Sequence, residues 1–507
     1  MIGRIIGRNA TEIIFRYKYK EDIKIGEILV AEDEEKDKKF FLRVIDLRYG
    51  MEGPEAWGLR AAGDMILMDE MEEAFTMREK ERRLFKLGVC IPLGYLSNGR
   101  FHKPKAIPSH FAKVRRAEEE DYSFLGRYLG EIEIGRLRSG ENVVNVPVGI
   151  KKDLLSHHIG IFATTGMGKS NLMRVFASSV LQRGGCGLLI IDPHGEYYEG
   201  GAGMKGLKHH PKANDSLVMY SPHPISGPYN TLCISAQEIT VRDIQNVFSF
   251  TEAQEDALYA LSSKFGKKWL VELCERSIDD LVAAFERKIQ DITFNVLKRR
   301  LERIFHSRII HTKEDISIID SIIQHLRDEK VVIVDTSGLS EYEELLVGVV
   351  LARKILEYAK FLYQKENFQK FSPFLIVMEE AQRVLQQKEN IFSQIAREGR
   401  KFKVGLCAIT QQPKLIKEEI LSQFNTFCIL GLADEGDRSI LKSSSKQDLS
   451  RLEKEIQTLE VGEALITYPG APFAIPVKIH WYDDYLKSHQ EQSNGMNDKM
   501  EIDEGFY

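Results

Sequence analysis

ATTGMGKSN, residues 163–171, is the stretch whose reading decides the fold. It follows the apolar run IGIFAT (159–164) and opens the helical pattern NLMRVFASSVLQR (171–183). A strand, a glycine-rich turn and a helix in that order form the setting of a phosphate-binding loop. Gly166 and Gly168 let backbone N–H groups turn inward, and the helix N-terminus adds the positive end of its dipole. The candidate nucleotide contacts are Thr164, Thr165, Gly166, Met167, Gly168, Lys169, Ser170 and Asn171. Lys169 suits the β- and γ-phosphates of ATP, and Ser170 suits Mg²⁺. Ala163 stands where the first glycine of GxxxxGK[ST] is usual.

Working outward, strand-length apolar runs alternate with helical patterns: GLLIID (187–192), VVIVD (331–335), FLIVM (374–378), GLCAIT (405–410) and FCILGL (427–432). Nearly continuous apolar strands between helices predict a doubly wound, parallel α/β domain. In such a sheet the ligand crevice lies at the carboxyl ends of the strands. FLIVM ends in two carboxylates: Glu379 suits the Mg²⁺ shell and Glu380 a general base for the attacking water. Asp192 ends another strand, within DPHGEY; Asp192, His194 and Glu196 are candidates for tuning the metal shell or contacting a neighbouring subunit, and His194 reads equally as a packed turn histidine. Asp335 reads as a strand-end cap. Gln411 follows the strand GLCAIT, where a polar side chain can sense the γ-phosphate. Arg400, on a basic turn before that strand, suits an arginine finger offered to a neighbouring subunit or a solvated surface; Arg397 is the alternative finger.

Composition bounds the rest. The chain has 507 residues, 43% hydrophobic and 29% charged, with a formal net charge of −5. Those figures exclude a protein that coats nucleic acid by bulk positive charge, while leaving a local channel open. Six scattered cysteines without a CxxC pair indicate neither zinc nor a disulfide framework. With no uncharged run near the ~18 residues of a membrane span and no signal-peptide pattern, no membrane role and a cytoplasmic location are expected.

Residues 1–147 read as a small β-barrel or sandwich, with short strand-like segments including Met65–Met68, Glu131–Leu137 and Val143–Val146. Residues 148–235 and 331–487 form the α/β core, interrupted by a helical insert of about four helices at 236–330, and 488–507 is a polar tail. Residues 78–116 hold eleven Lys/Arg and two Glu, between acidic runs at 69–73 and 118–121. Lys205 and Lys208, in the glycine-rich stretch after DPHGEY, read as part of an ordinary solvated loop or as contacts to the phosphates of a nucleic acid held in a local channel.

Together these motifs resemble the HerA branch of the HerA/FtsK ATPase superfamily. GRIIG and YLGEIEIGRL resemble its N-terminal barrel; DPHGEY, VDTSGL, EEAQ and REGRKFKVGL…TQQP…LSQFNT match at corresponding places. The resemblance implies a RecA-like P-loop core with a helical insert behind an N-terminal β-barrel. It implies a homo-hexameric ring that hydrolyses ATP, with Mg²⁺, to translocate on double-stranded DNA, in end processing and repair beside a NurA-type nuclease. It carries over Lys169 and Ser170 as phosphate and metal contacts, Glu380 as the catalytic base, Gln411 as γ-phosphate sensor and Arg400 as the finger. Arg438, in DEGDRSIL, resembles an additional arginine near the nucleotide. His157-His158 stand where many members carry Arg-His before the P-loop strand; with Ala163 and Glu379 they suggest a divergent paralogue. Two other readings stay open: a DNA pump without strand separation, and a ring ATPase that remodels protein or activates a nuclease as a scaffold.

Overall fold

The computed structural model describes residues 1–491 apart from Tyr19, 52–54, 71–83, Ala202, 314–316, 366–367 and 387–388. Most of the acidic run 69–73, the start of the basic run 78–116 and most of the 488–507 tail therefore lie outside the described residues. The chain forms two compact units: Met1–Gly130, Gly135–Gly149 and Ile429–Ile479 in one; Glu131–Ile134, Ile150–Cys428 and the C-terminal residues from His480 in the other.

In the first unit, six strands close into a barrel. Gly3–Arg8 pairs with Ile13–Tyr17, which pairs with Leu84–Ser97; that strand pairs with Lys38–Met51, then Ile28–Asp33, then Lys113–Arg116, which returns to Gly3–Arg8. Alternation along these strands sends Ile5, Ile13, Phe15, Leu29, Phe40, Leu42 and Val114 into one core. Gly88 is required there: a Cβ at this position would sit 2.1 Å from the Phe15 ring. Met65–Met68, expected as a strand, lies in the helix Glu55–Glu70, since four apolar residues in a row do not separate helix from strand. The strands Ile132–Ser139 and Asn142–Ile150 stand outside the barrel sheet. The first pairs with Ile475–Ile479, over three hundred residues away, a partner no local pattern specifies. Much of the described basic run is neutralised: Lys113 pairs with Glu34, Arg115 with Asp121 and Glu32, and Arg116 with Glu27 and Glu21.

The second unit carries the α/β sheet. Its strands run in the order Asn230–Thr231, Leu217–Ser221, Val331–Asp335, Gly187–Asp192, Phe374–Met378, Val404–Thr410, Ile159–Phe162 and Thr426–Ile429. The first seven are parallel. From Val331–Asp335 to Thr426–Ile429 in that order every strand residue is buried, as unbroken apolar runs require, while Asn230–Thr231 at the edge is exposed. The register places Phe162 opposite Thr410, and Met378 opposite Ala408, so the P-loop, the carboxylate pair and Gln411 leave the sheet from neighbouring carboxyl ends. Segment 236–330 is largely helical. Thr240 and Thr251 open helices with capping boxes, and Asp291–Phe305 buries Phe294, Leu297, Leu301 and Ile304 on one face. Among the described residues no helix is long and apolar enough to cross a membrane.

Candidate nucleotide site

The P-loop forms because the strand Ile159–Phe162 ends at Ala163, whose N–H donates to Thr410 O at 3.3 Å. Ala163 is fully buried and its φ is not positive, so glycine's conformational freedom is not needed at this end of the loop. Gly166 and Gly168 have φ of 83° and 98°, values that a side chain resists. Among the described residues beyond its chain neighbours, no atom lies within 4 Å of where a Gly166 Cβ would stand. The helix Lys169–Arg183 begins directly behind it. Lys169 Nζ donates to the loop's own carbonyls, Ala163 O at 3.3 Å and Thr164 O at 3.5 Å. Burial lowers the Lys169 pKa, opposed by the charges of Glu380 and Glu379. The cradle, the lysine and the half-buried Ser170 in the helix's first turn fit a nucleoside triphosphate with its Mg²⁺.

Facing the loop is a continuous polar chain. The Thr165 hydroxyl donates to Gln411 Oε1, and Gln411 Nε2 donates to Glu380 Oε1 at 3.3 Å. Gln382 Nε2 donates to Glu380 Oε2 at 2.6 Å, while its own Oε1 accepts from the Thr410 hydroxyl at 2.6 Å. Glu380 sits at φ 47°, a left-handed backbone that a glutamate seldom adopts. Such strain persists where surrounding contacts over-determine it. Gln382 was not singled out in the sequence, although its place in EEAQ, two residues after the base, was the available signal.

Glu379 is held from the other side. The Tyr197 hydroxyl donates to its Oε1, and His194 Nε2 lies 3.7 Å from its Oε2. Burial raises the Glu379 pKa, which the Tyr197 hydrogen bond counters.

Three expected residues are engaged elsewhere. Asp192 is fully buried, and its carboxylate accepts N–H bonds from His194 (3.1 Å), Gly195 (2.9 Å) and Tyr197 (2.9 Å), so it builds the turn that presents His194 and Tyr197. The Asn171 amide bridges His480 O at 2.8 Å and Tyr482 N at 2.9 Å. Arg438, buried in the first unit, donates to Leu432 O at 2.9 Å and Ala433 O at 2.5 Å, beside Glu453. Asp335 accepts from Ser337 N and Ser221 Oγ, as a strand-end cap does. Among the described residues no group of three or more His, Cys, Asp or Glu is arranged to hold a metal by itself.

Arg400 is exposed on the turn Gly399–Phe402. Lys403 closes that turn at φ 57°, with Nζ donating to Gln369 O at 2.8 Å and Phe371 O at 2.7 Å. His157 and His158 lie close enough to feel the Arg400 charge. Of the two DNA-contact candidates, Lys208 is paired with Glu199, whereas the Lys205 side chain is exposed.

A family model described as the helicase HerA central domain matches residues 132–355. The DNA double-strand break repair helicase HerA of Sulfolobus acidocaldarius is 30% identical over 453 residues, covering 84% of this chain and 85% of that one. The enzyme of the same name from Saccharolobus solfataricus is 29% identical, over 80% of both chains. Among solved structures, the bacterial conjugative coupling protein TrwB aligns with a TM-score of 0.48 at 15% identity, over 72% of this chain and 92% of that chain.

Proposed function

The chain belongs to the HerA family of ATP-hydrolysing helicases and translocases, and from that premise we propose that it works as a ring of six subunits moving on double-stranded DNA, in DNA end processing beside a NurA-type nuclease. The observation that carries the reading is the polar chain from Thr165 through Gln411 to Glu380, set across the mouth of the P-loop cradle.

ATP binds between subunits in this reading. Thr164, Thr165, Gly166, Met167 and Gly168 supply the backbone cradle, and Lys169 leaves its carbonyl partners for the phosphates. Ser170 and Glu379 would hold the Mg²⁺ shell, and the ion would supply charge neutralisation on the phosphates. Glu380 accepts a proton from the attacking water and Gln411 reports the γ-phosphate. Arg400 reaches the neighbouring subunit's site from the turn that Lys403 fixes.

The test is ATP turnover with and without blunt duplex DNA, alongside native mass measurement on the same sample. Stimulation by duplex from a six-subunit species supports the reading. Lys169→Ala should abolish turnover with the ring intact. Turnover that duplex leaves unchanged would sink the DNA motor.

A further inference from the structure

Arg174 lies in the helix Lys169–Arg183, little more than one turn past Ser170, and is fully buried. Its Nη2 donates to Glu196 O at 2.9 Å, with the Glu196 carboxylate 3.6 Å away. Its Nη1 meets Met204 Sδ at 3.6 Å, and the guanidinium lies 5.8 Å from the centre of the Tyr197 ring. Its Nε has no hydrogen-bond partner among the described residues. A guanidinium carries five donors, and a buried charge is costly unless fully paired. Among the described residues a carbonyl is the one strong acceptor in hydrogen-bond range, while one donor rests on a thioether, a weak acceptor. An arginine serving only to fill space would be better replaced by an apolar side chain of similar volume.

The contacts of Arg174 join three working parts. Its helix carries Lys169 and Ser170. Glu196 and Tyr197 belong to the turn that holds Glu379. Met204 opens the second strand of a small hairpin, Gly200–Gly201 paired with Met204–Lys205. The hairpin rests on the same turn: a Cβ on Gly201 would meet the Glu196 side chain at 3.0 Å. Its base is tied down, with Lys205 N donating to Asp483 Oδ1 at 3.0 Å and the Tyr482 hydroxyl to Gly206 O at 3.3 Å. The Lys205 side chain is left exposed. The Arg174–Met204 contact is the lightest of these, and the close approach of Gly201 to the Glu196 side chain is a second tie between the turn and the hairpin.

We propose that Arg174 is a positioning residue that transmits the state of the nucleotide site to the paired strands Gly200–Gly201 and Met204–Lys205, which meet the DNA phosphate backbone through Lys205. The proposal rests on the reading of the chain as a DNA motor. When the P-loop helix shifts on loss of the γ-phosphate, the guanidinium carries the turn 194–197 and the hairpin with it. In reverse, a duplex seated on Lys205 biases Tyr197 and hence Glu379, which makes turnover respond to DNA.

The experiment uses the full-length ring, checked by native mass, as wild type, Arg174→Met, Arg174→Lys, Met204→Leu and Lys205→Glu. Three quantities are read: fluorescent ATP-analogue affinity, duplex affinity by anisotropy, and turnover with and without duplex. Arg174→Met should keep nucleotide affinity, duplex affinity and basal turnover, and lose about tenfold in duplex-stimulated turnover, within the range of coupling mutations. Arg174→Lys should restore part of that loss, and Met204→Leu, which keeps volume but removes the sulfur, should show a smaller loss of the same kind. Should Arg174→Met fail to assemble, Met204→Leu decides. Full duplex stimulation in Arg174→Met or in Met204→Leu, with Lys205→Glu impaired, overturns the coupling and leaves the motor standing. Wild type that duplex does not stimulate overturns the motor reading, and the coupling with it.

Discussion

Gln411 Nε2 donates to Glu380 Oε1 at 3.3 Å, between the carboxyl ends of two adjacent parallel strands. The same amide accepts from the Thr165 hydroxyl of the P-loop through its oxygen. One side chain thus connects the phosphate cradle to the candidate base, and whatever draws Gln411 toward the cradle loosens its hold on Glu380.

The other oxygen of Glu380 belongs to Gln382, which Thr410 orients in turn. Gln382→Ala removes the group that holds the carboxylate in its left-handed backbone setting without touching the P-loop. Single-turnover kinetics should show the chemical step slowed by about tenfold to a hundredfold, toward the lower range for a positioned acid–base group. ATP affinity should stay put, since the cradle is intact. Equal loss in affinity and rate would mean that Gln382 supports the loop itself.

Arg400 is held out by a turn that Lys403 pins to the carbonyls of residues 369 and 371. A finger acting in trans is worth about 10³–10⁵ in rate. Arg400→Ala should therefore lose nearly all turnover with ATP still bound. Mixed with Glu380→Gln subunits, it should recover a measurable fraction, because some interfaces then pair an intact Glu380 with an intact Arg400. Well-mixed rings without any recovery would place Arg400 outside the site.

Much of this was legible from sequence, for physical reasons that also mark where legibility stopped. Lys169 and Glu380 could be placed because loop glycines and acidic strand ends are local patterns read against a periodic apolar background. Asp192 shows the limit: a carboxylate at a strand end is equally suited to a metal or to the N–H groups of the next turn, and only the path of residues 193–197 decides between them. Asn171 likewise follows the P-loop motif directly, yet its amide is taken by residues more than three hundred positions away. The strand Ile132–Ser139 was read into the barrel because its true neighbour, Ile475–Ile479, is equally remote. Pairing across such separations leaves no trace in local periodicity.

Glu455 makes a stability prediction in the first unit. It is buried between Arg43, with bonds of 2.6 and 2.7 Å, and Arg138, at 2.7 Å; Arg43 also donates to Ala474 O at 2.6 Å. Arg43 comes from a barrel strand and Arg138 from the strand that pairs with Ile475–Ile479, so one carboxylate ties distant segments together. Glu455→Gln leaves two buried guanidiniums facing a neutral amide. Breaking one partner of such a set costs about 3–5 kcal/mol. Scanning calorimetry should show a lowered transition, and Glu455→Asp, which keeps the charge at shorter reach, should fall in between. An unchanged transition in Glu455→Gln would mean that solvent reaches these arginines.

His158 sets a pH dependence. It is buried at φ 59°, its Nδ1 accepts from Leu406 N at 3.0 Å, and burial, with the charges of His157 and Arg400 nearby, lowers its pKa to about 4 from 6.5. The folded state therefore binds fewer protons here than the unfolded state, and stability rises with pH across that window. The contribution is present in full above pH 6.5, falls as pH drops from 6.5 toward 4, and is gone below 4. A shift of this size corresponds to about 3 kcal/mol. Asn can offer an oxygen where Nδ1 stood. His158→Asn should thus be less stable at neutral pH, from lost packing, yet lose less on acidification. His210, also lowered to about 4, keeps part of the slope in both proteins. Melting temperatures from pH 7.5 to 4.5 check this, and parallel curves for wild type and variant would show that His158 is protonated alike in both states.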